Sequence, residues 1–164
     1  VVIGVGVAPE TEWLEGSGLD LDNGVCCDRW CRALAGRRPV PGVVAAGDVA
    51  RWDNPLFGES MRVEHWTNAA EQGRQAALTL LRAEDAPVFD PVPYFWSDQY
   101  QTKIQFVGRT APDVSVVDGS IDDDRFVVAY GLAGRIVGAL AFGRPARLMA
   151  YRSMIAQRHP FPDS

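Results

Sequence analysis

The chain has 164 residues, 16 Lys plus Arg against 21 Asp plus Glu, a formal net charge of −5 and a pI near 5.0. That balance excludes a general nucleic-acid binder, which needs a basic face. With 47% hydrophobic and 23% charged residues it can bury a core, yet no apolar run approaches the roughly 20 residues of a membrane-spanning helix. No membrane partner is expected, and a cytoplasmic location is the default expectation.

The chain opens on VVIGVGVAPE. Residues 1–3 read as a buried strand, and with no methionine, cap or polar lead before it the expectation is that further sequence precedes. Gly4 and Gly6 begin a dinucleotide-type fingerprint, but Pro9 stands where its third glycine belongs and no βαβ unit follows. Residues 11–15 then suggest a short helix stopped by Gly16 and Gly18.

All three cysteines fall at positions 26, 27 and 31. Their spacing is not that of paired C-x-x-C ligands, and the two histidines, His65 and His159, are far apart in sequence. No metal site is expected. Two short strands around Asp28 and Arg29, with the thiols reduced and acting as small hydrophobes, fit better.

Residues 41–73, PGVVAAGDVARWDNPLFGESMRVEHWTNAAEQG, carry the most information. Val43, Val44, Ala45 and Ala46 predict a strand covered on both faces in a parallel sheet. Gly47 and Asp48 end it. Glycine permits positive φ or a close approach to a ligand, and the carboxylate can cap the next turn or accept hydrogen bonds from sugar or ribityl hydroxyls.

Residues 51–58 read as a loop exposing an aromatic and a proline. A long helix follows, with Thr67 or Asn68 as N-cap and Asn68 and Glu71 at capping-box spacing. Ala69, Gly73, Ala76, Ala77, Leu80 and Leu81 predict its packed face. Its N-terminus offers N–H groups and a positive dipole end to an anionic atom. An ordinary strand, loop and surface helix accounts for the same residues.

Three prolines and several acids interrupt residues 84–93. Beyond them, strands are predicted over 94–99 and 103–107, a hairpin over 125–130 and 135–142, and a final helix from Pro145 with Leu148, Tyr151 and Ile155 inward and Arg147, Arg152 and Arg158 wet. Tyr94, Phe95 and Trp96 suit a packed core strand.

AAGDVA, the tryptophan of RVEHWTNAAEQG eighteen residues after that aspartate, and PYFWSDQYQTKIQFVG occur in an order and spacing that resembles the C-terminal part of the FAD-dependent ferredoxin reductases. These are NADH-linked flavoproteins of the pyridine nucleotide-disulphide oxidoreductase superfamily that serve bacterial dioxygenases and cytochromes P450. The resemblance covers essentially the whole chain.

It implies an α/β plus α+β fold. Residues 1–88 would be the end of the NAD-domain crossover and the C-terminal part of a Rossmann-like FAD-binding domain, and residues 89–164 a small α+β reductase C-terminal domain. FAD would be the cofactor, NAD(P)H the substrate and a [2Fe-2S] ferredoxin the partner. The implied cofactor-binding residues are Gly47, Asp48, Glu64, His65, Trp66, Thr67 and Trp96, with Trp66 giving a main-chain contact to the flavin pyrimidine edge. Trp96 would screen the ring, with Ser97, Asp98 and Gln99 along the same edge.

A helix dipole aimed at the pyrimidine edge favours the negative charge that a reduced flavin gathers there. No side chain of this chain is assigned a catalytic role, and His65 is left unassigned as acid or base. An acidic ferredoxin would call for local basic charge, with Arg51, Arg74, Lys103 and Arg109 as candidates.

Neither the glycine loop for the ADP half of FAD nor the NAD fingerprint is present. The chain alone is therefore expected neither to oxidise NADH nor to hold FAD tightly, and its first partner would be the N-terminal portion of the reductase. The competing expectation is a non-catalytic interaction or oligomerisation module, a homodimer among its forms, using surfaces left unpaired.

Overall fold

A computed structural model describes residues 1–162 and every side chain among them except that of Glu84. The last two residues of the expected second domain lie outside the described residues. The chain divides into two compact units, Val1–Asp90 and the residues from Pro91 on.

The first unit is built on a mixed sheet of β1 (Val25–Cys27), β2 (Arg32–Ala35), β3 (Arg38–Val44), β4 (Ala50–Asn54) and β5 (Glu59–Arg62), in the order β3-β2-β1-β4-β5. Only β1 and β4 run parallel; the other neighbours are antiparallel. Ala33, Ala50, Trp52 and Cys31 are wholly buried at its centre, with Val25, Cys27 and Phe89 around them. A 3-10 turn over Glu12–Leu14 stands where a short helix was expected.

Three expectations need correction here. Val1, Val2 and Ile3 form no strand, join neither sheet and are exposed. The strand expected over 43–46 is the end of β3, which lies at the sheet edge, pairs antiparallel with β2 alone, and stops before Ala45. With one partner and a largely exposed face, it is not a strand covered on both sides. Finally, residues 51–58 are not an exposed loop. Ala50, Trp52 and Asn54 alternate inward along β4, and Trp52 is wholly buried; only the turn between β4 and β5 is loop.

The helix α1 (Trp66–Arg82) turns a different face inward from the one its apolar residues mark. Asn68, Gln72, Gln75, Ala76 and Thr79 are buried, while Leu80 and Leu81 are exposed. Each buried polar side chain meets the backbone of a loop. Asn68 Nδ2 donates to Val63 O at 3.1 Å, Gln72 Oε1 accepts from Gly47 N–H at 2.8 Å, Gln75 Nε2 donates to Pro87 O at 2.7 Å, and Thr79 Oγ1 donates to Trp30 O at 2.7 Å. Loop backbone lacks ladder partners, so a polar helix face satisfies it at less cost than an apolar one.

The second unit is an antiparallel sheet of β6 (Tyr94–Gln99), β7 (Thr102–Gly108), β8 (Asp113–Ser120), β9 (Arg125–Leu132) and β10 (Arg135–Phe142), ordered β6-β7-β10-β9-β8. The helix α2 (Pro145–Ala156) packs on β7 and β10, burying Leu148 and Ile155. In-register neighbours Val107, Ala139 and Ala129 share one face and are wholly buried. At Gly138 any Cβ would fall inside the van der Waals envelope of Arg109 O, so only glycine lets β7 leave the sheet there. The anticipated hairpin and helix are present; β8 was not anticipated. Arg152, expected to stay wet, is half-buried, its Nε donating to Val92 O at 3.3 Å.

These are the α/β and α+β architectures anticipated in outline: a mixed sheet with one helix, then an antiparallel sheet with another.

Candidate functional site

After Val44 the chain leaves the sheet and turns at Gly47, whose φ of +81° is open to glycine at little cost. A Cβ there would sit 3.6 Å from Ala69 Cβ, an ordinary contact, so conformation rather than space demands the glycine. Gly47 O accepts from Ala50 N–H at 2.9 Å, closing the turn, and Gly47 N–H is held by Gln72 of α1. Asp48 is exposed at the turn's tip.

The main chain of Asp48 is held from the other side. Arg62 donates to Asp48 O at 3.0 Å and to Asn23 Oδ1 at 3.1 Å, and forms an ion pair with Glu64. Glu64 therefore precedes the helix and is engaged with a guanidinium. The helix begins two residues earlier than a Thr67 cap would require and three earlier than an Asn68 cap: His65 is the N-cap, with extended backbone and no side-chain cap hydrogen bond. Its carbonyl accepts the first helical bond, from Ala69 N–H at 3.0 Å. Trp66 projects its indole into solvent, 77% exposed, and Thr67 is half-buried in the first turn. Asn68, expected as a cap, is inside the helix and bonded to Val63 instead.

Burial pushes the His65 imidazole below its ordinary pKa, against the opposing pull of the Asp48 and Glu64 carboxylates. A neutral ring at a helix start neither repels the dipole nor competes with a bound anion. Gly47, Asp48, Glu64, His65, Trp66 and Thr67 thus all belong to the turn and helix start of the first unit. Sequence reasoning missed Gln72 and Arg62 and gave Asn68 a capping role, although all three fix that geometry; the signal available was an asparagine and a glutamine one helical turn apart.

Trp96 belongs to the second unit, on edge strand β6. It is 42% exposed and stacks on Tyr94 at 5.7 Å between ring centroids, while Phe95 points the other way onto Phe106 at 5.6 Å. The aromatic triplet is therefore divided, with one ring in the core and two stacked on the opposite face. Asp98 pairs with Lys103 at 3.4 Å, and Gln99 Nε2 donates to Ser97 Oγ at 2.7 Å.

A cleft of about 650 Å³ opens elsewhere in the first unit, lined by Asp20, Asp22, Cys26 and Arg51 among others. Its carboxylates are already engaged: Asp20 accepts from the Gly36 and Arg37 amides, and Asp22 is paired with Arg51. Among the described residues no group of His, Cys, Asp or Glu is arranged to hold a metal ion, and no helix is long and apolar enough to cross a membrane.

The turn at Gly47–Asp48 and the helix start are covered by a family model for pyridine nucleotide-disulphide oxidoreductases, which matches residues 1–73. A second, for the reductase C-terminal domain, matches residues 94–164. Across both stretches the chain is similar to the ferredoxin reductases. It is 40% identical over 159 residues to the ferredoxin–NAD(+) reductase component of the anthranilate 1,2-dioxygenase system of Burkholderia cepacia, covering 95% of this chain and 37% of that protein.

The ferredoxin reductase for the CYP199A2 system from Rhodopseudomonas palustris superposes with a TM-score of 0.83 at 32% identity, over 96% of this chain and 38% of that one. The reductase in a covalent putidaredoxin reductase–putidaredoxin complex superposes at 0.81 with 28% identity, over 94% and 36%. The chain spans 36–38% of the length of the curated reductases it matches. Its mixed sheet and α1 are thus the C-terminal part of a Rossmann-like domain, followed by the α+β domain of the reductases.

Proposed function

We propose that this chain is the C-terminal portion of an FAD-dependent NAD(P)H:ferredoxin oxidoreductase. Residues 1–88 then form the end of the NAD-domain crossover and part of the FAD-binding domain, and residues 89–164 the reductase C-terminal domain. The complete cytoplasmic enzyme passes electrons from NAD(P)H through FAD to a [2Fe-2S] ferredoxin that serves an oxygenase or a cytochrome P450. The names of the dioxygenase reductase component and of the putidaredoxin complex support this reading.

The observation that carries it is the docking of the Gly47–Asp48 turn on the start of α1, through Gly47 N–H and Gln72 Oε1 at 2.8 Å. The residues suit a flavin dinucleotide. A positive-φ glycine is followed by an exposed carboxylate, the nearby helix start has no side-chain cap, and buried Gln72 keeps an Nε2 without a hydrogen-bond partner among the described residues. When bound, FAD supplies the hydride-accepting and single-electron chemistry.

The chain's own contribution is to hold and tune. Asp48 would accept hydrogen bonds from the ribityl hydroxyls of a bound FAD. With FAD bound, the main-chain N–H groups at Trp66 and Thr67 would serve its pyrimidine edge, where the dipole of α1 would favour negative charge. Glu64 keeps Arg62 on the Asp48 carbonyl, and His65 stays neutral beside it. Trp96 would screen the flavin ring, and no side chain here is assigned as a catalytic acid or base. Of the basic residues considered for ferredoxin docking, Arg51 and Lys103 are paired with Asp22 and Asp98, and Arg74 is exposed on α1.

The test compares the 164-residue chain with the complete polypeptide, each purified in FAD and desalted. The complete protein should keep flavin absorbance and reduce a [2Fe-2S] ferredoxin with NADH, and the chain alone should be colourless and inactive. NADH oxidation by the chain alone would overturn the division of labour, and a complete protein unable to reduce such a ferredoxin would overturn the partner.

A further inference from the structure

The geometry points to Gln72 as a positioning residue that holds the Gly47–Asp48 turn in its ligand-binding conformation. This inference rests on the reading that the turn contacts flavin. Past Val44 the chain has no strand partner, so Gly47 N–H would be left without an acceptor in a half-buried position. Gln72, wholly buried and 25 residues away, supplies one at 2.8 Å. Arg62 grips the next carbonyl, Asp48 O, at 3.0 Å.

The two contacts hold the peptide groups on either side of the Gly47–Asp48 peptide bond, and so the backbone that carries the Asp48 side chain. A glycine at positive φ has no side chain of its own to limit its motion, so its conformation depends on such outside contacts. Gln72 is also an amide where an apolar residue would otherwise pack against Ala69 and Ala76. Its Nε2, and Asn68 Oδ1 one turn earlier on the same face, are buried with no hydrogen-bond partner among the described residues. Retaining two such groups against their desolvation cost is accounted for by the two bonds the same amides make, to Gly47 N–H and Val63 O.

The experiment pairs Gln72→Met, which keeps the shape and removes the acceptor, with Gln72→Glu, which keeps an acceptor oxygen. In the 164-residue chain, NMR hydrogen exchange at the Gly47 amide should accelerate about tenfold in Gln72→Met, with Trp52 unchanged, as expected for one lost hydrogen bond. In the complete flavoprotein, FAD should dissociate about tenfold more readily from Gln72→Met, and Gln72→Glu should restore both properties.

Unchanged Gly47 exchange in Gln72→Met, or equal loss of FAD from both variants with Gly47 still protected, would overturn the inference. If Gln72→Met does not fold, the wild-type chain decides: a protected Gly47 amide supports the contact and an amide exchanging as fast as an open loop removes it. Asp48→Ala separates the two layers. Should it leave FAD affinity intact, the flavin reading of the turn fails, while the exchange data still decide whether Gln72 holds it.

Discussion

The Trp52 indole on β4 meets the Phe89 ring at 5.5 Å between centroids, tilted by 48°. This joins the centre of the first sheet to the segment that follows α1. That segment is held by three further bonds: Phe89 N–H to Arg29 O at 2.8 Å, Trp30 Nε1 to Ala86 O at 3.1 Å, and Gln75 to Pro87 O. Replacing Phe89 by Ala should cost about 3–5 kcal/mol, as large-to-small aromatic changes in cores do. Trp52→Phe should cost less, because it also removes an indole N–H that is buried without an acceptor among the described residues. Denaturant unfolding of the chain would check both; equal losses would refute the ranking.

In the second unit Asp118 on β8 takes Arg147 Nε–H at 2.8 Å and faces Arg144 at 3.4 Å. Arg147 is 66% exposed, so its deletion should cost no more than about 1 kcal/mol, shrinking with salt. The more telling readout is Tyr151. Burial raises its pKa first, Asp118 raises it further and Arg147 lowers it. Asp118→Asn should therefore bring the Tyr151 titration down and Arg147→Ala should send it up, as followed by NMR of the labelled ring. Shifts of the same sign in both variants would contradict this arrangement.

His65 makes stability depend on pH in a defined sense. Its folded pKa lies below the ordinary value, so between the two the unfolded chain binds more protons. Stability from this group is complete above the ordinary histidine value and is lost as pH falls below it. His65→Gln should flatten the stability curve in that window, and Asp48→Asn should lower the His65 pKa further by removing an attractive charge. A rise in that variant would show that Asp48 does not act on the ring.

Cys27 and Cys31 are buried, and that burial pushes both thiols up to about 12. Cys26 is raised too, by burial, but it is only half-buried and lines the cleft beside Arg51. In mildly alkaline buffer a disulfide reagent should modify Cys26 first and leave the other two until the chain unfolds. Rapid reaction of all three in the native chain would mean that the β1–β2 hairpin opens readily.

Much of the architecture was legible in the residues. The 125–142 hairpin is marked by two apolar runs around its Gly134 turn, Pro145 marks a helix start, and the two short strands around Asp28 follow from the pattern there. The Gly47–Asp48 turn was readable from glycine and carboxylate chemistry and the reductase resemblance from three motifs in order, whereas the helix start was placed too late, at a Thr67 or Asn68 cap. Trp52 was misread because Pro55 and Gly58 nearby signal a loop, which hid the inward alternation of Ala50, Trp52 and Asn54.

Composition and local pattern determine which segments form strands, turns and helices, since backbone propensity, period and capping act within a few residues. They also set the character of the turn at Gly47, because positive φ is a property of one residue. Which face of α1 is buried was decided by tertiary structure alone. Asn68, Gln72, Gln75 and Thr79 lie off the face that the apolar residues mark, and they are buried because the loops at Val63, Gly47, Pro87 and Trp30 bring backbone groups that need partners. Hydropathy records what a side chain prefers in water, whereas burial depends on what the rest of the chain leaves unsatisfied beside it.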